Sequence, residues 1–475
     1  MHGEVGLLSR NVVFRGDPET SATNKYGAHI MVHSPGDESS IGRIENTEFT
    51  DVGQAFQLGR YPIHYHMIGT VNKSYVKQNA VHQTYNRGTT IHGVHYLRIE
   101  RNVYYDTMGH TVFIEDAAET KNYIKDNLVI LVKPSHSLLN TDSTPAAFWI
   151  THPDNIFIGN HAAGTERYGF WFDMQDTAMG PSFDKNICPF GAKLGQFKDN
   201  VAHSVGRYGL RIFHGLMPRK HQCRGMTYDE AAKEAGTDPY HENPLIPALF
   251  ENFIGYKNGR NGVITEDIGS VLFKNIKVVD NGKAGFEVNK VVGVRDGNNL
   301  CELNGAVVVG RSNNNQESMG SPHGIITPQR DGFWVKNVNF HNFNFNSAAA
   351  LGSCSHCFKP PATDSDSRHV NFSGLTFAST VDKKIRYQFP FKGIYEDHDG
   401  SLTGKGPGSW ATSDWNHNKW LTQCSVDSTV YDGILCDSTV SVRRIVIYNA
   451  QPSSLNGKNL YILPYDLDIT SQFAD

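Results

Sequence analysis

Hydrophobic and polar residues recur along this chain in a unit of about two dozen positions. Each unit has an Asn, a short β-branched or apolar stretch, a polar turn, a Gly, and then the apolar/polar alternation typical of a strand. The clearest units begin at Asn79, Asn102, Asn160, Asn200, Asn252 and Asn275. Asn79 and Asn102 are 23 residues apart, as are Asn252 and Asn275, and this period lies in the range of solenoid repeats.

The repeat predicts an all-β fold, a right-handed parallel β-helix in which each unit forms one coil. Asn suits one corner because it tolerates left-handed backbone and its amide can bond to the Asn of the next coil, and Gly suits a second, tighter corner. Weaker copies extend the pattern, so we expect about a dozen coils over residues 1–385 and a small C-terminal β cap over residues 386–475. We expect inserted loops to form a wall on one face. The predicted insertions are Lys133 to Thr144, Met174 to Lys193, Leu216 to Pro247 and Asn298 to Pro328.

Composition narrows the class of protein. The chain has 475 residues, 45 Gly and 20 Pro, and only 19% of its residues are charged, which indicates a folded, turn-rich protein. The net charge is -4 and the basic residues are scattered singly, so nucleic acid is not an expected partner. No run of 18 apolar residues predicts a membrane span, and residues 1–10 lack a secretion signal, which favours either a cytosolic protein or an excerpt of a longer one.

The seven cysteines leave the redox state open. Cys354 and Cys357 have the spacing of half a zinc site, with a disulfide or free thiols as the alternatives. Cys424 and Cys436 bracket one strand-turn segment, which favours a local disulfide. Asn72 and Asn371 begin N-glycosylation sequons.

A second regularity is a titratable residue at the end of the strand that follows the Gly corner. Stacked coils should place these residues in a column, with neighbours roughly 5 to 10 Å apart. The column contains His92, the pair Glu115 and Asp116, His152 and Asp173. In the preceding coil His64 and His66 are two residues apart and should point the same way from a strand.

Several chemistries suit this column. Asp116 and Asp173 have the expected separation of an inverting glycosidase pair, with Glu115 as a further catalytic candidate. The imidazoles of His64, His66 and His92, with a neighbouring carboxylate, form a candidate site for one divalent metal ion.

Binding residues complete the candidate site. The guanidinium fork of Arg60 suits the carboxylate of a uronic acid, and Arg60 is also a catalytic candidate. The other predicted substrate-binding residues are Tyr65, His110 and His152.

Long motifs in this chain resemble a known family. They are Glu4–Val13, Gly59–His66, Thr90–His92, Phe113–Asp116, Thr144–Ile150, Gly169–Phe172 and Asp397–Gly404 with Cys424 and Cys436. They are similar to the β-helical ectodomain of the family that includes fibrocystin-L, the transmembrane cell-surface hyaluronidase and the cell-migration-inducing hyaluronan-binding protein. The resemblance implies an extracellular or cell-surface location, a further glycine-rich domain before Glu4, and membrane attachment only through segments outside this chain.

The resemblance leaves two functions open. One is binding, and even cleavage, of an acidic glycan of hyaluronan type in the groove between Arg60 and Asp173. The other is a non-catalytic coat, fibre or receptor module with protein partners, as the likeness to fibrocystin-L implies. A polysaccharide lyase with an Arg base is a third reading, and it rests on fold analogy alone.

Overall fold

We describe the protein from a computed structural model of the chain. The described residues are 3–34, 39–136, 140–223, 243–292, 301–314, 320–329, 331–345, 347–353, 369–387, 393–413, 423–440, 451, 452 and 454. The predicted Cys354–Cys357 site and most of the insertion from Leu216 to Pro247 lie outside these residues.

The strands stack in parallel, and the repeat folds as a parallel β-helix, as the sequence predicts. One face, which we call the site sheet, contains twelve parallel strands among the described residues, in agreement with the expected dozen coils. Its strands are β2 (Ile30–His33), β5 (Ile63–Thr70), β8 (Thr89–His95), β11 (Val112–Ile114), β14 (Ala146–Ile150), β17 (Tyr168–Asp173), β20 (Tyr208–Leu216), β23 (Asn261–Ile268), β25 (Ala284–Val291), β27 (His323–Ile326), β29 (Ala349–Gly352) and β32 (Ile385–Arg386).

The other faces belong to a sheet of 24 described strands arranged in two rows. One row contains β3 (Arg43–Glu45), β6 (Tyr75–Lys77), β9 (Arg98–Glu100), β12 (Tyr123–Lys125), β15 (Ile156–Ile158), β18 (Gln196–Lys198), β21 (Ala248–Glu251), β30 (His369–Ser373) and β33 (Ile394–Asp397). The other contains β1 (Val12–Arg15), β4 (Thr47–Val52), β7 (Ala80–Thr84), β10 (Val103–Met108), β13 (Leu128–Lys133), β16 (His161–Thr165), β19 (Val201–His203), β22 (Ile254–Tyr256) and β31 (Thr376–Phe377). Three long strands run through both rows, namely β24 (Val271–Val279), β26 (Cys301–Val309) and β28 (Phe333–His341).

The last strands change direction. Strand β33 still pairs in parallel with β30, whereas β34 (Ser409–Ser413), β35 (Cys424–Asp427) and β36 (Gly433–Cys436) pair antiparallel at the end of the stack. The predicted local disulfide between Cys424 and Cys436 is present here. The division of the chain at residue 386 stays a prediction.

Helix is almost absent from the described residues. Helix α1 (Thr20–Asn24) has one turn, and Asn140–Ser143, Gly180–Ser182 and Pro189–Gly191 are single 3-10 turns. None of these described helices is long enough to cross a membrane.

The interior is one continuous apolar cluster from Phe49 to Leu435. The parallel register places similar side chains of successive coils above one another. The rings of Phe148 and Phe170, for example, lie face to face with centroids 4.6 Å apart. A buried ladder of amide hydrogen bonds runs up one corner, each Asn donating from Nδ2 to Oδ1 of the next over 2.9–3.1 Å. Its members are Asn79, Asn102, Asn127, Asn160 and Asn200.

Two details of the sequence interpretation were wrong. Asn252 and Asn275 do not continue the buried ladder, because Ile254 donates its backbone N–H to Asn200 and so places Phe253 in the ladder position. The segment from Asn298 to Pro328 is not one insertion, since β26 lies inside it as a regular strand of the stack.

Candidate functional site

A cluster of imidazoles and carboxylates lies on the outer surface of the site sheet. Along β5 and β8 the side chains alternate, so that Ile63, Tyr65 and Ile91 enter the core while His64, His66 and His92 point outward. The register pairs His66 with His92 across the two coils. Glu115 follows β11 in the next coil, where its backbone N–H donates to Ile91. We call His64, His66, His92 and Glu115 the histidine centre.

The three imidazoles converge on one point. Each offers a ring nitrogen, and these three atoms lie within 4.8 Å of one another. His66 Nδ1 is 3.1 Å from His92 Nδ1, which in turn is 3.4 Å from Glu115 Oε2. This spacing would let one small cation contact the three imidazoles, with Glu115 next to His92.

Surrounding groups fix the ring orientations. His64 Nδ1 donates to the carbonyl of Gly59 over 2.8 Å, which leaves Nε2 with a lone pair. His92 Nε2 is 2.9 Å from Asp116 Oδ2, and Asp116 also accepts the backbone N–H of Ser182 from the insertion after β17. A carbonyl or carboxylate behind the ring, as His64 and His92 have, is the usual second layer around a metal-binding histidine.

Two buried polar atoms of the histidine centre have no hydrogen-bond partner among the described residues. They are His64 Nε2 and Glu115 Oε2. Burying such an atom unpaired is unfavourable by about 1–3 kcal/mol, and a bound cation would give His64 Nε2 a partner. Three imidazoles are a donor set that would suit zinc or a similar transition metal.

Burial and neighbouring charges shift the pKa values of the histidine centre in different directions. Burial lowers the pKa of His64 to about 3, so this ring stays neutral. Burial also favours neutral His92, but its hydrogen bond to Asp116 and the nearby Glu115 outweigh burial and raise its pKa. Burial raises the pKa of Glu115 against the pull of Arg87 and His92.

Arg87 is a buried cation that sequence reasoning missed. Its guanidinium lies 3.9 Å from Glu115 and 3.4 Å from Asp142, and it covers the ring of Phe113 at 3.4 Å. Asp142 comes from the insertion after β13, so the insertions after β13 and β17 flank the centre through Arg87 and Asp116. The sequence signal was an Arg at the Gly corner, directly before Gly88.

Three predicted substrate-binding residues are buried. Tyr65 points into the core and donates its hydroxyl to Gly42. His110 is fully buried, accepts the backbone N–H of Ala146 and stacks on Trp149 with centroids 4.7 Å apart. His152 accepts the backbone N–H of Asp154, and burial lowers its pKa to about 3. Packing and internal hydrogen bonds occupy these side chains, and their role in substrate binding stays a prediction.

The remaining predicted residues are placed as follows. Arg60 is exposed, and its guanidinium is 3.4 Å from His29 Nε2, next to the Gly59 carbonyl that holds His64. Asp173 is buried and accepts the indole N–H of Trp149, so its partners differ from those of Asp116. Their pairing as acid and base stays a prediction.

Comparison with known proteins identifies relatives of this chain. Residues 25–210 match the CEMIP β-helix family. The chain is 34% identical to fibrocystin-L of Mus musculus over 97% of its own length, which is 11% of that protein. It is 31% identical to the human cell surface hyaluronidase CEMIP2 over 59% of its length, and 26% identical to the human cell migration-inducing and hyaluronan-binding protein over 89%. It spans 24% and 36% of those two relatives.

Proposed function

The chain is a homologue of fibrocystin-L and of the CEMIP proteins with a CEMIP β-helix at residues 25–210, and on that premise we propose that it binds an acidic glycan at a metal-assisted histidine centre outside the cell. The names of two relatives refer to hyaluronan, which makes a hyaluronan-type glycan the first ligand to test. Two disulfides among the described residues, Cys188–Cys223 and Cys424–Cys436, suit an oxidising extracellular location.

The observation that carries the proposal is the buried, unpartnered Nε2 of His64 beside His66 and His92. His64, His66 and His92 would hold the metal, and Glu115 would lie next to it as a negative charge. A bound divalent cation would supply a Lewis acid that takes a uronate carboxylate or polarises a sugar oxygen.

The residues around the centre have separate tasks. Gly59 and Asp116 hold His64 and His92 so that their free nitrogens face the metal position. His66 is only half-buried, and its side of the centre is the open approach for a ligand. The exposed Arg60 would bind a second anionic group of the glycan.

A non-catalytic binding module is favoured over a glycosidase by one observation. Asp116 accepts hydrogen bonds from His92 and Ser182, and Asp173 accepts one from Trp149, so both carboxylates have a positioning task within the protein. We therefore place binding first and cleavage second.

Metal titration tests the centre. Purified protein stripped with a chelator should take up one equivalent of zinc, measured by calorimetry and elemental analysis. His64→Ala should lose this binding, whereas His341→Ala, in an exposed histidine at the end of β28 in the other sheet, should keep it. Equal zinc affinity in His64→Ala and wild type would refute the metal site.

Asp116→Asn tests the orienting carboxylate. We expect zinc affinity to fall about 10- to 100-fold, since the amide supports the His92 ring less well than a carboxylate. Size-fractionated hyaluronan incubated with wild type and with this variant measures cleavage in the same experiment. Shortened polymer with wild type alone would reverse our order of binding and cleavage.

A further inference from the structure

A second feature of the site sheet is a row of basic residues at the corner where its strands begin. Arg167 precedes β17, Arg207 precedes β20 and Arg260 precedes β23, with Lys283 before β25. The backbone N–H of Arg207 donates to the Arg167 carbonyl, that of Arg260 to the Arg207 carbonyl, and that of Lys283 to the Arg260 carbonyl. We call these four residues the basic ladder.

The corner geometry fixes this row. A glycine precedes three of the four cations, and a Cβ there would meet backbone oxygen of the neighbouring coil at 1.9 Å for Gly206, 2.2 Å for Gly259 and 2.3 Å for Gly282. Only glycine lets the backbones of neighbouring coils approach so closely at this corner. The corner positions of successive coils are therefore held directly above one another. The ladder therefore advances by one stacking step, about 4.8 Å, per cation.

The middle of the ladder is not neutralised. Within the part of the chain that the structure describes, no carboxylate lies within 4.0 Å of Arg207 or Arg260. Arg167 has only the exposed Glu166 at 4.0 Å, which is a weak interaction in water. Lys283 is paired with Glu287 at 2.8 Å and closes the row.

The ladder is accessible to a ligand. Arg260 is exposed, and Arg167 and Arg207 are half-buried. Tyr168 and Tyr208, each the next residue in the chain, stack with ring centroids 5.7 Å apart and are covered by the guanidinium of Arg211, which adds a further cation close to the row. A row of cations suits a ligand with a row of anionic groups.

We propose that the basic ladder binds a sulfated glycosaminoglycan, at a site separate from the histidine centre. Each guanidinium would hold one sulfate group through paired N–H donors. The ladder spacing is close to the length of one pyranose residue, so it matches a chain with an anion on successive sugars. Hyaluronan has its carboxylate on every second sugar and would fill the ladder incompletely.

Paired variants test the ladder by surface plasmon resonance with heparin and hyaluronan oligosaccharides of equal length. Arg207→Gln with Arg260→Gln should weaken heparin binding about tenfold or more, the loss expected from removing charged hydrogen bonds. Lys274→Gln with Lys277→Gln, in exposed lysines of β24 on another face, removes the same charge and should stay within about twofold of wild type. Heparin binding should also weaken as salt increases.

Three results would overturn the proposal. They are unchanged heparin binding in the arginine variant, equal loss in the lysine variant, and equal affinity of wild type for hyaluronan and heparin. Circular dichroism and zinc uptake of the arginine variant show whether it is folded and whether the histidine centre is intact. Loss of heparin binding with normal zinc uptake separates this proposal from the proposed function.

Discussion

At the residue scale, the buried asparagines show how one side chain can join three coils. Asn127 donates from Nδ2 to the Ile99 carbonyl and to Asn160 Oδ1, and its Oδ1 accepts both the backbone and the side-chain N–H of Asn102. Every polar atom of the amide is therefore used inside the protein. A shorter side chain would leave several buried groups unpaired.

Asn127→Ala should lower the free energy of unfolding by about 2–4 kcal/mol, because buried donors and acceptors lose their partners. Asn304→Ala is the matched control, since Asn304 accepts a similar amide bond from Asn337 at the surface. It should lower the free energy of unfolding by less than about 1 kcal/mol. Chemical denaturation measures both, and equal losses would show that burial of the ladder does not matter.

The reason that the sequence offers for these asparagines was only half right. The amide ladder exists, but the residue with left-handed backbone is the one before each ladder Asn, as at Gln78 and Arg101 with φ of 57° and 53°. Asn252 and Asn275 do have left-handed backbone, with φ of 55° and 56°, and they lie on the outside. Asn serves both positions, so a single sequence does not separate them.

At the element scale, the segment Gly3–Arg10 lies across several coils as a strap. Glu4 contacts His161 in β16 and His203 in β19, each at 2.9 Å, and Arg10 donates to the Gln78 carbonyl near β7. A Cβ at Gly6 would lie 2.6 Å from Val103, so the strap is in close contact with the sheet. The strap thus ties coils that are far apart in the stack.

Glu4→Gln should weaken the strap in a pH-dependent way. Partial burial favours the neutral acid, but hydrogen bonds from His161 and His203 outweigh it and lower the pKa of Glu4 below 4.5. Because the pKa of Glu4 is lower in the folded protein, its carboxylate stabilises the fold at pH values above its ordinary pKa. This stabilisation is lost as the pH falls through the lowered pKa. Limited proteolysis should cut the variant faster than wild type at pH 7, and this difference should shrink as the pH falls through the lowered pKa of Glu4.

The control for the strap is Glu19→Gln, in an exposed residue outside it. This variant should resist proteolysis like wild type over the whole pH range. A difference between Glu4→Gln and wild type that stays constant as the pH falls would contradict the assigned role of the Glu4 charge.

Strand alternation decides part of the candidate site without tertiary information. If His64 and His66 point outward from β5, Tyr65 must point inward, and the structure places it in the core. The same rule does not predict the burial of His110 and His152. Their surroundings include Trp149 from β14 and Asp154 from the turn after it, contacts that only the fold reveals.

At the scale of the whole molecule, each coil contacts mainly the coils next to it. Such a stack behaves as a nearly one-dimensional array, in which a local defect loosens its neighbours more than distant coils. The core is continuous from Phe49 to Leu435, so the spread of a local defect can be measured along this part of the chain.

Phe372→Ala tests how far a defect spreads. Phe372 is fully buried in β30 and contacts Tyr395 with ring centroids 5.1 Å apart, and its removal should be unfavourable by about 3–5 kcal/mol. Hydrogen exchange measured by mass spectrometry should become faster in β30 and β33 and remain unchanged in β8 and β11. Equal acceleration throughout would show that the molecule opens as one unit.

The sequence alone determined the β-helix, because a periodic pattern specifies the same local structure in every coil and stacking then follows from strand pairing. It also determined that His64, His66 and His92 meet, since alternation and period suffice to place them on one surface. Only the tertiary structure decided that Arg87 and Asp142 join the centre and that Arg167, Arg207 and Arg260 form a row. These contacts depend on inserted loops of irregular length and on the exact register between coils, and the repeat pattern constrains neither.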